Sequence, residues 1–141
     1  MPNNYTNILI VMPGNKNDSL YGESLVKAMD EWSSSCPLQR LIPMPTELEV
    51  TESPSPSGMP NWYEWQCDNW GVKWGVYGAK PAICLPGDCN AVMLSFITAW
   101  DTPKDSARKI LREDIKKQTG ASSVTWLGAN PYDDSITTIT E

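Results

Sequence analysis

Trp62-Tyr63-Glu64-Trp65-Gln66-Cys67-Asp68-Asn69-Trp70-Gly71-Val72-Lys73-Trp74 holds four of the seven tryptophans in a chain of 141 residues. Trp62, Trp65, Gln66 and Asn69 fall at spacings that place them on one face of a short helix. Gly71 then releases the chain, and Val72, Trp74 and Val76 alternate with Lys73, Gly75 and Tyr77 as in a two-faced strand. Tryptophan joins a large apolar surface to an indole N–H that needs an acceptor when buried. The segment therefore has two readings: the lock of a small core, or an aromatic surface for a partner.

Working outward, Ala91 to Ala99 is the clearest strand, with Val92, Leu94 and Phe96 on one face and Met93, Ser95 and Ile97 on the other. Thr102-Pro103 opens the clearest helix, with Thr102 as cap and proline in the first turn. Asp105 near its start and Lys116 and Lys117 near its end suit the helix dipole. Ala107, Ile110, Leu111 and Ile115 give its buried stripe, and Gly120 stops it. Ser123 to Leu127 and Ser135 to Thr140 read as a hairpin.

Upstream, Ile8-Leu9-Ile10-Val11 reads as an inner strand ended by the turn Pro13-Gly14-Asn15. Asp18 or Ser19 caps a helix running through Trp32, whose apolar face is Tyr21, Leu25, Ala28, Met29 and Trp32. Leu38 to Met44 reads as a short extended piece that Pro43 and Pro45 keep out of a central sheet. Residues 46–60, rich in Ser, Pro, Thr and Glu, form a loop inside one domain spanning 1–141, because the first half is too small for its own core. The pattern predicts an α+β fold, with two main helices on one face of a mostly antiparallel sheet. A ferredoxin-like sandwich is the leading arrangement.

Composition narrows the function. With 17 acids against 11 bases the net charge is -6, which argues against non-specific binding to nucleic acid. Six of the bases lie between Lys104 and Lys117. No stretch has the roughly 20 apolar residues that cross a bilayer. Met1-Pro2-Asn3-Asn4-Tyr5 lacks the start of a secretion signal, so a cytoplasmic location is expected. Cys36, Cys67, Cys84 and Cys89 then read as reduced thiols. Their spacing forms no paired CxxC set, and the chain has no histidine, so neither a zinc site nor any other cofactor is expected.

The absence of histidine also removes Ser-His-Asp and Cys-His catalysis. Asp133-Asp134 reads as an exposed turn, since neighbouring residues alternate sides of a strand. Met12-Pro13-Gly14-Asn15-Lys16-Asn17 lacks the ending of a phosphate loop. Cys67 would need an activating base or cation, and burial of the thiol is the plainer reading. The expectation is a protein that is not an enzyme.

The run from Trp62 to Trp74, with Phe96-Ile97-Thr98-Ala99-Trp100-Asp101-Thr102-Pro103 and the upstream Ile42-Pro43-Met44-Pro45-Thr46-Glu47-Leu48, resembles the YubB ferredoxin-like family of plasmid and bacteriophage proteins. Asn69-Trp70-Gly71-x-Lys73-Trp74 is the most specific unit, and the resemblance spans about residues 40–127. It implies a ferredoxin-like fold and a mobile-element setting in a bacterial host, and it carries over no catalytic residue.

Two groups of residues are candidates for binding. The first is aromatic: Trp62, Trp65, Trp70, Trp74 and Trp100, with Asn69 and Lys73 supplying hydrogen bonds and charge. The second is the basic helix, where Arg108 and Arg112 follow Lys104 at four-residue steps. Each has a structural counterpart, a packed core for the first and a solvated helix face for the second. The expected function is a non-enzymatic accessory protein that binds a host or viral protein. The alternative is a nucleotide or single-stranded nucleic acid bound through the sheet and the aromatic segment. Tryptophans exposed on an open sheet face would favour the alternative.

Overall fold

A computed structural model of the chain describes residues 4–15, 17–51, 59–73, 75–86 and 90–129, and the backbone of 136–139. Trp74, Cys89, Asp133-Asp134 and residues 52–58 of the Pro/Ser-rich loop lie outside the described residues. The elements run β1 (Asn4–Met12), α1 (Gly22–Ser34), α2 (Pro37–Leu41), a 3-10 turn (Thr46–Leu48), α3 (Trp62–Asn69), β2 (Ile83–Cys84), β3 (Val92–Ala99), α4 (Asp105–Thr119), β4 (Ser123–Ala129) and β5 (Ile136–Ile139).

The strands form one sheet in the order β2-β3-β1-β4-β5, and every neighbouring pair is antiparallel. β1 is central. β3 and β4 flank it and run parallel to each other, so α4 must cross the sheet between them. β2 runs parallel to β1 from the far side of β3, and α1 begins that crossover. The fold is thus α+β on an antiparallel sheet, as the sequence pattern predicts.

The inward faces carry the core. Leu9 and Val11, Val92, Leu94 and Phe96, and Val124 and Trp126 alternate into it from β1, β3 and β4. Leu25, Met29 and Trp32 of α1 and Ala107, Leu111 and Ile115 of α4 close over them. Phe96 meets Trp126 edge-on at 5.7 Å between ring centroids, and Trp32 lies 6.4 Å from Phe96 on the other side.

Several elements differ from the sequence expectation. The stretch read as extended from Leu38 begins as a helix, α2, because Cys36 turns the chain at φ +52° and Pro37 presets the first helical residue. Helix α1 starts at Gly22. Ser19 instead accepts the N–H of Gly14, while the Ser24 hydroxyl accepts from the Tyr21 N–H and returns a bond to its carbonyl. Tyr21 is exposed, leaving Leu25, Met29 and Trp32 as the buried face.

The described residues of 72–77 form no continuous strand: Gly71 and Gly78 take positive φ and Pro81 lacks an N–H, and the segment meets β3 through the Tyr77–Ile97 bridge and the bond from the Lys80 N–H to the Ser95 carbonyl before the ladder resumes at Ile83. In α4 the cap position falls on Lys104. The Asp101 carboxylate takes the Thr102 N–H at 2.7 Å, and the buried Thr102 hydroxyl has no partner among the described residues. The helix is also rotated from the expected stripe, with Ile110 exposed and Arg108 buried beside Ala107.

Candidate binding surface

The tryptophans divide into two sets. Trp32, Trp70 and Trp126 are buried, and each indole N–H has an acceptor: Asp114 Oδ2 at 3.0 Å, the Ile42 carbonyl at 2.9 Å and Asn7 Oδ1 at 3.0 Å. These three are core residues. Trp62 and Trp65 are half-buried, and Trp100 is 38% exposed.

Local sequence explains how the second set is presented. Asn61, itself buried, caps α3 by accepting the Glu64 N–H at 2.9 Å, and the Thr51 hydroxyl accepts the Trp62 N–H at 2.9 Å. No residue of α3 is fully buried, so the helix is held mainly from its C-terminal end. There Asn69 donates to the Trp65 carbonyl, Trp70 enters the core, and Trp65 stands edge-on to Trp70 at 5.6 Å. Gly71 passes the start of α4 so closely that an added Cβ would lie 2.7 Å from the Lys104 N atom. Lys104 seals this joint: its N–H bonds the Trp70 carbonyl at 2.9 Å and its ammonium bonds the Asp68 carbonyl.

Trp100 arrives from the other side, at the end of β3. The Asp101 N–H bonds the Ala99 carbonyl at 2.8 Å, closing a three-residue turn centred on Trp100 at φ +69°. A bulky residue rarely adopts that conformation, which costs on the order of 1–3 kcal/mol. The turn is tied to the interior by a chain of hydrogen bonds. Trp126 donates to Asn7, Asn7 donates to the Thr98 hydroxyl at 2.8 Å, and Thr98 donates to the Asp101 carbonyl at 2.5 Å.

The two approaches bring Trp62, Tyr63 and Trp100 together. Tyr63 meets Trp62 at 5.9 Å and Trp100 at 5.8 Å, both edge-on. Lys73 Nζ stands 6.0 Å from the Trp62 centroid and 5.8 Å from that of Tyr63, within cation–π range. Sequence reasoning missed Tyr63. Tyr63 does not stand out by residue type among the neighbouring tryptophans, and only the position of Trp100 in space reveals it as the bridge. Beside the cluster an open depression of about 530 Å³ is bordered by Gly71, Asp101, Pro103 and Lys104.

Three of the basic residues on and before α4, Lys104, Arg108 and Arg112, are engaged within the protein. Arg108 is 6% exposed, donates to the Pro103 carbonyl at 2.6 Å and pairs with Asp105, while Arg112 donates to the Val124 carbonyl at 2.9 Å. Lys104 fastens the helix to the end of α3 and Arg112 fastens it to β4, while Arg108 closes on the helix's own first turn. The solvated face expected for this series is therefore corrected at Arg108, which belongs to the interior.

Titration follows the same geometry. Burial, reinforced by Asp101, pushes the Tyr5 phenol above its ordinary value against the opposing pull of Arg108. Burial also raises the Cys67 thiol, and the Tyr63 hydrogen bond and Lys73 offset this only in part. Cys67 thus stays protonated at neutral pH, the reverse of what a nucleophilic cysteine needs. Among the described residues no group of three or more His, Cys, Asp or Glu side chains could hold a metal ion, and no helix is long and apolar enough to cross a membrane.

No protein-family model, curated protein or solved structure matches the chain.

Proposed function

We propose that the chain is a ferredoxin-like binding module of the YubB kind, an accessory protein of a phage or plasmid working in the cytoplasm of a bacterial host. The strand order β2-β3-β1-β4, with α1 and α4 on the crossovers, supports the fold assignment. Its role in this reading is non-enzymatic: Trp62, Tyr63, Trp100 and Lys73 grip a host or viral protein. The observation that carries this is Trp100, a large aromatic held at φ +69° on an exposed turn and braced edge-on by Tyr63. Nothing in packing the core calls for a tryptophan there, and strain of this kind concentrates at sites of recognition.

A protein partner is favoured over nucleic acid by two placements. The net charge is -6, and Lys104, Arg108 and Arg112 are already bonded to the protein's own carbonyls. The outward residues of β1, β3 and β4 are aliphatic or small and polar, so the central strands offer no aromatic platform for a base.

The test is affinity purification from phage-infected or plasmid-bearing cells, with wild type compared with Trp100→Ala and Tyr63→Ala variants of confirmed fold. The reading expects a stoichiometric protein that wild type retains and both variants lose. Identical bound proteins in all three samples would sink it.

A further inference from the structure

The aromatic cluster runs into the open depression at the start of α4, and Trp100 stands where they meet. It is 38% exposed, touches Tyr63 edge-on, and is followed at once by the exposed Asp101. The other rings already carry a cation of the protein's own, since Lys73 Nζ lies 6.0 Å from the Trp62 centroid and 5.8 Å from that of Tyr63. Among the described residues no cation lies over Trp100.

The charges near this indole are unequal. Glu64, Asp68 and Asp101 are exposed, and none forms an ion pair among the described residues, where the pairs are Arg40 with Asp114 and Arg108 with Asp105. The neighbouring bases are occupied. Lys104 gives its ammonium to the Asp68 carbonyl, and Arg108 is buried against Asp105 and the Pro103 carbonyl. An exposed indole thus adjoins unpaired carboxylate, beside a depression of about 530 Å³ that Asp101 and Asp105 border.

We propose that this surface takes an arginine on a basic segment of the partner protein, its guanidinium stacked on Trp100 and hydrogen-bonded to Asp101. The proposal rests on the partner-binding reading and adds the chemistry of the segment that is gripped. Charge complementarity is the main argument. An aromatic face and a carboxylate both favour a cation, and the net charge of -6 draws a basic segment in. A phosphate or an acidic segment would meet Asp101, Asp68 and Glu64 instead. The carboxylate is also held in place: Asp101 Oδ1 accepts the Thr102 N–H at 2.7 Å, and a carboxylate has room for further donors. Arginine suits the site better than lysine because its donors lie in the plane that stacks, so they stay available to the carboxylate. The depression has the volume to receive the aliphatic stem.

The probe is a labelled Gly/Ser peptide carrying spaced arginines, compared with the same peptide bearing lysine, or citrulline, which keeps the shape and loses the charge. Each is titrated into the isotopically labelled full chain while the indole N–H resonances are followed, with Trp100→Ala identifying the Trp100 signal. That signal should move saturably with the arginine peptide. Citrulline should weaken binding about tenfold or more, with lysine between the two. Asp101→Asn keeps an oxygen for the Thr102 N–H and should weaken the arginine peptide about fivefold, whereas Glu113→Gln, an equal change of charge on the exposed face of α4, should change it less than about twofold. Equal binding of the arginine and citrulline peptides overturns the proposal, as does an Asp101→Asn protein that binds like wild type. Tighter binding of an acidic peptide or a single-stranded oligonucleotide at Trp100 overturns it too. The affinity purification separates this proposal from the reading beneath it. A cellular partner lost by Trp100→Ala and fully kept by Asp101→Asn overturns the arginine contact while partner binding stands. Arginine-selective binding with no cellular protein retained supports the contact and ends the partner reading.

Discussion

Trp126 on β4 donates its indole N–H to Asn7 on β1, and both residues are fully buried. Asn7 passes the connection to Thr98 on β3, so one amide side chain joins the three central strands through their polar atoms. A buried polar group is costly when its partner is removed, by about 1–3 kcal/mol for each group stranded. Asn7→Ala strands the indole N–H and takes the donor from the Thr98 hydroxyl. The variant should lose about 2–4 kcal/mol in urea unfolding. Loss of less than about 0.5 kcal/mol would mean that the chain of bonds carries no stability.

Gly71 and Lys104 form the joint between the aromatic segment and α4. A methyl group at Gly71 meets Lys104 backbone at 2.7 Å, and the residue also takes φ +80°. Both effects oppose Gly71→Ala, whose expected cost is about 2–3 kcal/mol. The consequence should be local as well as global: amide exchange should quicken first across α3, which has no buried residue of its own. Uniform protection with unchanged stability would contradict the account of this joint.

Asp114 gathers α1, α2 and α4 by accepting from Trp32 at 3.0 Å, from Arg40 at 2.9 Å and from Gln118 at 2.9 Å. Burial raises its pKa, but the bonds from Arg40, Trp32 and Gln118 outweigh burial and hold the carboxyl below 3.8. A depressed acid stabilises the fold above its unfolded pKa and loses that contribution as pH falls through the folded value. Wild type should therefore exceed Asp114→Asn by about 1–2 kcal/mol at pH 7. The difference should shrink on acidification, vanishing below the lowered pKa. Urea melts of both proteins at pH 7, 4 and 3 check the sign, and a constant gap would refute the assignment to ionisation.

The legible parts of the fold are those where one pattern spans a whole element. Val92, Leu94 and Phe96 alternate without interruption and predict β3, and the hairpin of β4 and β5 follows from the same rule. Errors fall where tertiary contacts override local signs. Arg108 enters the interior because the Pro103 carbonyl and Asp105 satisfy its guanidinium, and nothing in the spacing of bases on α4 announces those partners. Pro37 presets a helix only because Cys36 adopts a left-handed conformation that its residue type does not favour. The surface cluster was half legible. Trp62 and Trp100 stand out by type, whereas Tyr63 becomes part of it only when β3 delivers Trp100 to within 5.8 Å.

Trp100 offers a direct separation of strain from contact. At φ +69° alanine retains the steric penalty of a Cβ, while glycine does not. Both substitutions remove the edge contact with Tyr63, worth about 0.5–1.5 kcal/mol in such pairs. Trp100→Gly should therefore be more stable than Trp100→Ala by about 1 kcal/mol, and close to wild type because relief of strain offsets the lost contact. Both should lose the partner that wild type retains. That combination, near-native stability in the glycine variant with binding gone, is the signature of a residue kept in an unfavourable conformation for recognition. Thermal unfolding of the three proteins beside the binding assay supplies both readings. If glycine and alanine were equally destabilising, the turn would hold no strain and the main support for a recognition role would fall away.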